Sequence, residues 1–290
     1  MLSLALPKGS LEEQTMLLFS QADLEVKRSS REYNPTIADG RISKIKILRP
    51  QEIPLYVQDG HFDLGISGHD WVTESGADVV EVAELPYAKT GTGVVNVVLA
   101  VPDHSPISSA LDMPAGSRVA TELPNITRSY FERLGIPVEV VFSYGATEAK
   151  VPELVDALVD LTETGSTIRR NGLRIVDTLL TSTTRLLANR DAWQDPAKRE
   201  AIEEIRTLLL GVIEARGRVM LSMNVAEDDL ERLVAVLPAM KNPTISKLYG
   251  SDYLSVSTVV DKATVNVLIP RLKTAGAQDI LEFGISKIVR

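Results

Sequence analysis

Cysteine is absent from the 290 residues, which removes disulfides, thiolate metal sites and a cysteine nucleophile and points to the cytoplasm. No apolar run approaches the roughly 20 residues that a membrane-spanning helix needs. The opening stretch, residues 1–7, passes at once into Lys8, Gly9 and a polar helix, so neither export nor membrane insertion is expected. Histidine is scarce: His61, His69 and His104 lie on separate segments without the paired spacing of a metal cluster. An excess of positive charge is lacking too. The net charge of -8 disfavours nucleic acid as a partner, so any phosphate site must be local.

What remains is an ordinary globular composition, 44% hydrophobic and 24% charged, in a length that suggests two or three domains. In the first two thirds, short apolar runs read as strands over 2–6, 63–66, 94–101, 118–121, 138–142 and 155–161. Helical stretches fall between them over 11–22, 51–59, 125–134 and 147–154. Such alternation predicts a mostly parallel sheet covered on both faces. Two segments share one order of features: residues 58–68 and 153–166 each run through an aspartate, an apolar strand and a small-residue loop. One such unit per half is what two periplasmic-binding-protein-like lobes around a cleft would give.

The last third changes character. A helix over 196–216, with Ile202, Ile205, Leu209 and Ile213 at helical spacing, precedes a strand over 219–225, a helix over 227–237 and strands over 244–248 and 253–260. A helix over 264–275 and a strand over 280–288 follow. That order is the ferredoxin-like split unit, an ACT-like α+β domain suited to an effector or to assembly. The expected division is 1–88 with 180–214 as one lobe, 89–179 as the other, and 215–290 as the appended domain.

The most informative stretch is Asp156-Ala157-Leu158-Val159-Asp160-Leu161-Thr162-Glu163-Thr164-Gly165-Ser166-Thr167, continuing to Asn171-Gly172-Leu173. A buried strand ends there in a hydroxyl-rich bend around one glycine, and a helical turn begins at Ser166. Open amides and the positive end of a helix dipole at such a junction favour a phosphate monoester, with Thr164, Ser166 and Thr167 as hydroxyl donors. Gly165 permits positive φ and close ligand approach. At about 3.3 Å per residue the two aspartates are roughly 13 Å apart, so only Asp160 lies beside the bend, where it suits ribose hydroxyls or a magnesium-bound phosphate; Asp156 is structural. The same residue types are common turn and cap residues, and no Walker A or dinucleotide fingerprint is present.

These residues resemble the phosphoribosyl-pyrophosphate loop of the ATP phosphoribosyltransferases. Similar blocks occur in that family's order at Leu4-Ala5-Leu6-Pro7-Lys8-Gly9, Arg49-Pro50-Gln51-Glu52-Ile53-Pro54, Asp63-Leu64-Gly65-Ile66-Ser67-Gly68-His69-Asp70 and Arg118-Val119-Ala120-Thr121-Glu122-Leu123-Pro124-Asn125-Ile126-Thr127. The tail Leu237-Pro238-Ala239-Met240-Lys241-Asn242-Pro243-Thr244 resembles the regulatory domain of the long form, which short forms lack. Ser10 departs from the pattern, since many relatives carry arginine after Lys-Gly.

The resemblance implies transfer of the phosphoribosyl group to adenine N1 of ATP with loss of pyrophosphate, magnesium as cofactor, histidine as inhibitor, and dimers that associate into hexamers. On it, Asp160, Thr162, Glu163, Thr164, Gly165, Ser166 and Thr167 bind phosphoribosyl pyrophosphate, with Asp160 near any magnesium. Lys8, Gly9, Arg49, Asp70 and Glu122 meet ATP or pyrophosphate, although a solvated lysine at Lys8 and a helix cap at Asp70 stay open. The turn over 122–127 is expected to face the cleft. Asn242 and Thr244 are the effector contacts, while Arg216 and Arg218 read as surface charges. No side chain stands out as a general base. A solute-binding or sensor protein would share two lobes around a cleft, but the hydroxyl-rich bend beside Asp160 speaks against it.

Overall fold

The computed structural model describes residues 1–28, 34–87, 93–238 and 242–290. Ala239, Met240 and Lys241 of the tail block, and the expected lobe boundary at 88/89, lie outside the described residues. The chain divides into two compact units, Met1–Leu209 and Leu210–Arg290, and the division falls inside one helix. Among the described residues no helix is long and apolar enough to cross a membrane.

The first unit runs β1 (Leu2–Pro7), α1 (Glu12–Gln21), β2 (Val26–Lys27), β3 (Thr36–Ile37), β4 (Ile42–Leu48), α2 (Ile53–Gln58), β5 (Leu64–Gly68), α3 (His69–Ser75) and β6 (Val80–Glu84). It continues through β7 (Val94–Pro102), β8 (Arg118–Thr121), α4 (Pro124–Leu134), β9 (Glu139–Phe142), β10 (Ala157–Thr162), α5 (Ser166–Arg170), β11 (Leu173–Ala188), α6 (Arg190–Gln194) and α7 (Pro196–Ala215), the last reaching into the second unit. Nine of the strands form one sheet in the order β4-β1-β5-β11-β7-β10-β8-β9, with β6 also on β11.

The expected mostly parallel sheet is parallel only towards its ends. β4, β1 and β5 are parallel in one lobe and β10, β8 and β9 in the other. Between them β7 and β11 run antiparallel to their neighbours. The physical reason is β11, 16 residues long, which pairs with β7 through Leu173 to Thr183 and with β5 through Thr184 to Ala188, so a single strand threads both lobes. Its polar residues and two register shifts, at 175/177 and 178/180, hide it from a search for alternation. β7 shows the opposite signature. Val97, Leu99 and Val101 enter one core and Val98 and Ala100 another, as expected for a strand covered on both faces. In the first lobe, a Cβ on Gly65 would come within 2.6 Å of Ile53, so glycine lets α2 lie close on β5.

The helix expected over 147–154 is a single 3-10 turn, Thr147–Lys150. Pro152 supplies no amide donor and its ring obstructs the preceding turn.

The two similar segments correspond in detail. Asp63, before β5, accepts from the Ser3 amide at 2.7 Å while its own amide donates to the Ser3 carbonyl. Asp156, before β10, accepts from the Arg118 amide at 2.7 Å and returns its amide to the Arg118 carbonyl. Each aspartate thus fastens the start of the neighbouring parallel strand, which makes Asp156 structural.

Burial pushes the Asp63 carboxyl up, but the Lys198 ammonium at 2.6 Å and the two Ser3 bonds outweigh it and hold it below its ordinary 3.8. Asp63→Asn should therefore lower stability at neutral pH. The difference from wild type should be present in full above pH 3.8 and disappear as pH falls below it, a profile measurable by urea unfolding at several pH values.

The second unit holds β12 (Arg218–Ala226), α8 (Leu230–Val236), β13 (Thr244–Lys247), β14 (Tyr253–Asp261), α9 (Val265–Thr274) and β15 (Gln278–Gly284). The antiparallel order β13-β14-β12-β15 is that of a ferredoxin-like domain. Alternate residues Val219, Leu221, Met223 and Val225 of β12 face Leu233 of α8 and Leu268 and Leu272 of α9 across one core. The final strand begins two residues before the expected 280 and stops at Gly284, short of the expected 288.

Candidate active site

Three parallel strands of the second lobe end side by side. Val159 pairs with Thr121, and Thr121 with Phe142, so the next residues, Asp160, Glu122 and Ser143, stand together at the carboxyl ends. In open α/β sheets this is the edge where ligands bind. Burial pushes the Asp160 carboxyl up to about 6; the charges of Glu148 and Glu122 add to the rise, and an N–H from Leu161 at 2.7 Å only partly offsets it. Glu122 was expected at the ATP or pyrophosphate contacts beside Lys8 and Arg49. The structure places it at this corner, reaching towards Gly145.

Sequence reasoning missed the neighbouring turn. Ser143 and Thr147 are fully buried with their hydroxyls 2.8 Å apart, and Lys150 Nζ donates to Ser143 Oγ at 2.6 Å. Reading 147–154 as a helix concealed Glu148 and Lys150. Their position just past the carboxyl end of a strand was the usable signal.

The hydroxyl-rich bend leads from β10 into α5. Gly165 has φ +69° and its amide donates to Thr162 Oγ1 at 2.8 Å, so the Thr162 oxygen, expected to serve a ligand, closes the turn. Arg169 Nη2 donates to the Thr164 carbonyl at 2.8 Å and steadies the outside of the bend. The amides of Thr164, Ser166 and Thr167 donate to no other described residue, and these three side chains are exposed, as is Glu163. One amide of the bend is tied up internally; three amides and three hydroxyls are left on the open side.

A cavity of about 470 Å³ is lined from both lobes: Gly9, Gly68, Asp70 and Trp71 from the first, Leu161 and Glu163 from the second, with Thr183 and Thr184 of β11 between. It brings Gly9, Asp70 and Glu163 together as expected. Lys8, Arg49 and Glu122 are not in its lining. The Lys8 amide donates to the Leu48 carbonyl while its side chain is exposed at the end of β1, and Arg49 is exposed just past β4. Asp70 is buried and accepts from Ser182 Oγ at 2.5 Å. Burial raises its pKa, and the Ser182 bond limits the rise. Its side chain caps no helix.

The turn over 122–127 was expected to face the cleft. Its amides at Asn125 and Ile126, at the start of α4, are taken by the Glu74 carboxylate at 2.9 Å each.

In the second unit, Asn242 and Thr244 line one cavity of about 310 Å³ with Arg218, Ser257 and Arg290. Arg218, expected as a surface charge, is half-buried here, and both it and Arg290 pair with Glu214.

Comparison with known proteins gives the family. The family model for ATP phosphoribosyltransferase matches residues 49–211, and that for the HisG C-terminal domain matches 215–287. The chain is 48% identical over 288 residues to an ATP phosphoribosyltransferase of Pelotomaculum thermopropionicum, covering 99% of each chain. It is 49% identical over the same length to one of Desulforudis audaxviator, again covering 99% of each. Among solved structures, the ATP phosphoribosyl transferase (HisG:HisZ) complex from Thermotoga maritima superposes with a TM-score of 0.63 at 29% identity, covering 74% of this chain and 99% of that one. Matched over almost its whole length in both units, the chain belongs to the ATP phosphoribosyltransferase family of pentosyltransferases, in the long form that carries the C-terminal domain.

Proposed function

We propose that this chain transfers the 5-phosphoribosyl group of phosphoribosyl pyrophosphate to N1 of the adenine of ATP, the first step of histidine biosynthesis, under feedback inhibition by histidine. The observation that carries the reading is the bend over 162–167, whose free amides and hydroxyls stand beside Asp160 in a chain of this family. In the reaction the bond from the anomeric carbon to pyrophosphate breaks with its electron pair going to pyrophosphate, a bond to adenine N1 forms, and the proton shed by the adenine 6-amino group is taken up by the released pyrophosphate. Thr164, Ser166 and Thr167 hold the 5′-phosphate, and Asp160 accepts from the ribose hydroxyls and faces the positive charge that develops on the ring. Catalysis of this kind rests on positioning and charge stabilisation.

Magnesium fits as a companion of the substrate. Among the described residues no three histidine or acidic side chains gather to hold a metal by themselves, so pyrophosphate oxygens would supply most ligands, with Asp160 as the carboxylate proposed beside them. When bound, the ion neutralises the leaving pyrophosphate. Lys8 and Arg49, exposed at the strand ends of the first lobe, are the cations proposed to meet phosphates outside the cavity. In the second unit, the cavity bordered by Asn242, Thr244 and Arg218 has donors and acceptors for both ends of a free amino acid, which supports histidine as effector. Dimers and hexamers are the assembly proposed for the chain, and the cytoplasm its compartment.

The purified protein should release pyrophosphate from magnesium, ATP and phosphoribosyl pyrophosphate, and histidine should slow it; a folded but inert protein would count heavily against the reading. Thr164→Ala should raise KM for phosphoribosyl pyrophosphate about 10- to 150-fold, the loss of one hydrogen bond to a charged phosphate at ~1.5–3 kcal/mol. KM for ATP should hardly move. Equal effects on both would place the bend at the wrong substrate.

A further inference from the structure

The cavity between the lobes is lined by charge of one sign. Glu13, Asp70 and Glu163 border it, and among the described residues no lysine, arginine or histidine does. Phosphate groups would be repelled from such an interior. Its remaining walls include Leu11, Trp71, Val95 and Leu161, which suit a flat uncharged ring carrying N–H donors.

One buried group in this lining has no partner among the described residues. The Thr183 hydroxyl is buried and bonds to none of them, whereas its neighbours on β11 are engaged: Ser182 donates to Asp70, and Thr181 donates to Asn96 Oδ1 at 2.9 Å. Buried hydroxyls are almost always satisfied, and an exception in the wall of a cavity calls for a partner from the occupant. A threonine hydroxyl can turn about χ1 to meet it.

Resting on the transferase reading, we propose that Thr183 is a specificity-determining residue of the ATP subsite: the cavity takes the adenine ring, and the Thr183 hydroxyl accepts a hydrogen bond from its 6-amino group. Leu161 and Glu163 flank Thr162, so a ring seated here lies at the inner end of the bend that holds the phosphoribosyl group. The 6-amino group and N1 occupy adjacent positions on one edge of adenine. Recognising the amino group therefore also fixes the direction of the nucleophilic nitrogen. The carboxylates act in the same sense, since an oxo group at position 6 would meet acceptors with an acceptor.

Trp71 gives a readout independent of turnover. The chain has two tryptophans, and Trp193 stacks under Arg199 outside this lining. In full-length W193F protein, ATP should quench Trp71 fluorescence and ribose 5-phosphate should not. In that background Thr183→Val should weaken ATP binding about 3- to 10-fold, the loss of a neutral hydrogen bond. It should leave unchanged the binding of purine riboside triphosphate, which lacks the amino group, and the KM for phosphoribosyl pyrophosphate. Thr183→Ser, which restores a hydroxyl, should recover most of the lost affinity. Equal weakening for both nucleotides, a shift confined to phosphoribosyl pyrophosphate, or a silent Trp71 in an enzyme that turns over would each overturn the proposal. A folded wild type that releases no pyrophosphate would overturn it together with the transferase reading.

Discussion

Asp160→Asn should make the protein more stable and nearly inactive. The Asp160 carboxyl is held near 6, against 3.8 in an unfolded chain, because burial and the charges of Glu148 and Glu122 disfavour its ionised form. For an acid raised in this way the sign is fixed. Nothing is lost below pH 3.8; a penalty grows as pH rises towards 6 and is constant beyond it, reaching ~3 kcal/mol for a rise from 3.8 to about 6. Asparagine keeps the shape and removes the charge, so at neutral pH the variant should gain about 1–3 kcal/mol, a rise in Tm of roughly 2–10 °C. At pH 4 the gain should be small. The same carboxylate is the proposed acceptor for the ribose hydroxyls, and on that proposal its loss should lower kcat/KM for phosphoribosyl pyrophosphate on the order of 10²-fold. Wild-type activity should fall as pH drops through about 6, and the variant should lack the part of that limb that Asp160 supplies. Thermal unfolding at the two pH values beside steady-state kinetics checks all of this. A variant less stable at neutral pH, or fully active, would refute it. Stability sacrificed to a buried charge is a familiar mark of functional sites.

Asp160 was legible in the sequence because its surroundings are local. An apolar strand, an aspartate at its end, hydroxyl residues around Gly165 and a helical turn all lie within a dozen positions, and local patterns survive without tertiary information. That Asp156 is structural was legible from strand length, whereas its partner Arg118, 38 residues away, was not. The ferredoxin-like unit also came through, since each of its strands alternates cleanly against one core. What failed needed pairing across long distances. β11 carries Arg174, Asp177 and a run of threonines, because parts of it face the cleft and the surface, and its bulges break the period of two. Without that strand, neither the antiparallel middle of the sheet nor the place of Thr183 could be read. That Glu122 stands beside Asp160 and Ser143 could not be read, because which strand end adjoins which depends on sheet order, and sheet order is not a property of any one segment. The Glu74 carboxylate was overlooked altogether: its partners are some 50 residues away, at Asn125 and Ile126.

That carboxylate should have the largest effect on stability. Glu74 leaves α3 in the first lobe, accepts from the amides of Asn125 and Ile126 at the first turn of α4 in the second, and is 9% exposed; its backbone carbonyl takes Asn125 Nδ2 at 2.9 Å. A helix begins with amides that have no partner inside the helix, and a negative charge there also meets the positive end of the dipole. Glu74→Ala strips both amides of their acceptor in a place that water reaches poorly. The loss should be about 2–4 kcal/mol, a fall in Tm of roughly 5–15 °C. Burial raises the Glu74 pKa in spite of these amides, so the charge itself is no net gain; Glu74→Gln retains one carbonyl oxygen as an acceptor and should lose much less than Glu74→Ala. Because Asp70 lies one turn earlier on α3 and lines the cavity, loosening this clasp should raise KM for ATP and for phosphoribosyl pyrophosphate together, unlike the one-sided effects of Thr164 and Thr183. Urea unfolding and the two KM values separate these outcomes. If Glu74→Ala unfolds at the wild-type midpoint, the contact between the lobes is ornamental and α4 is held by its apolar face alone.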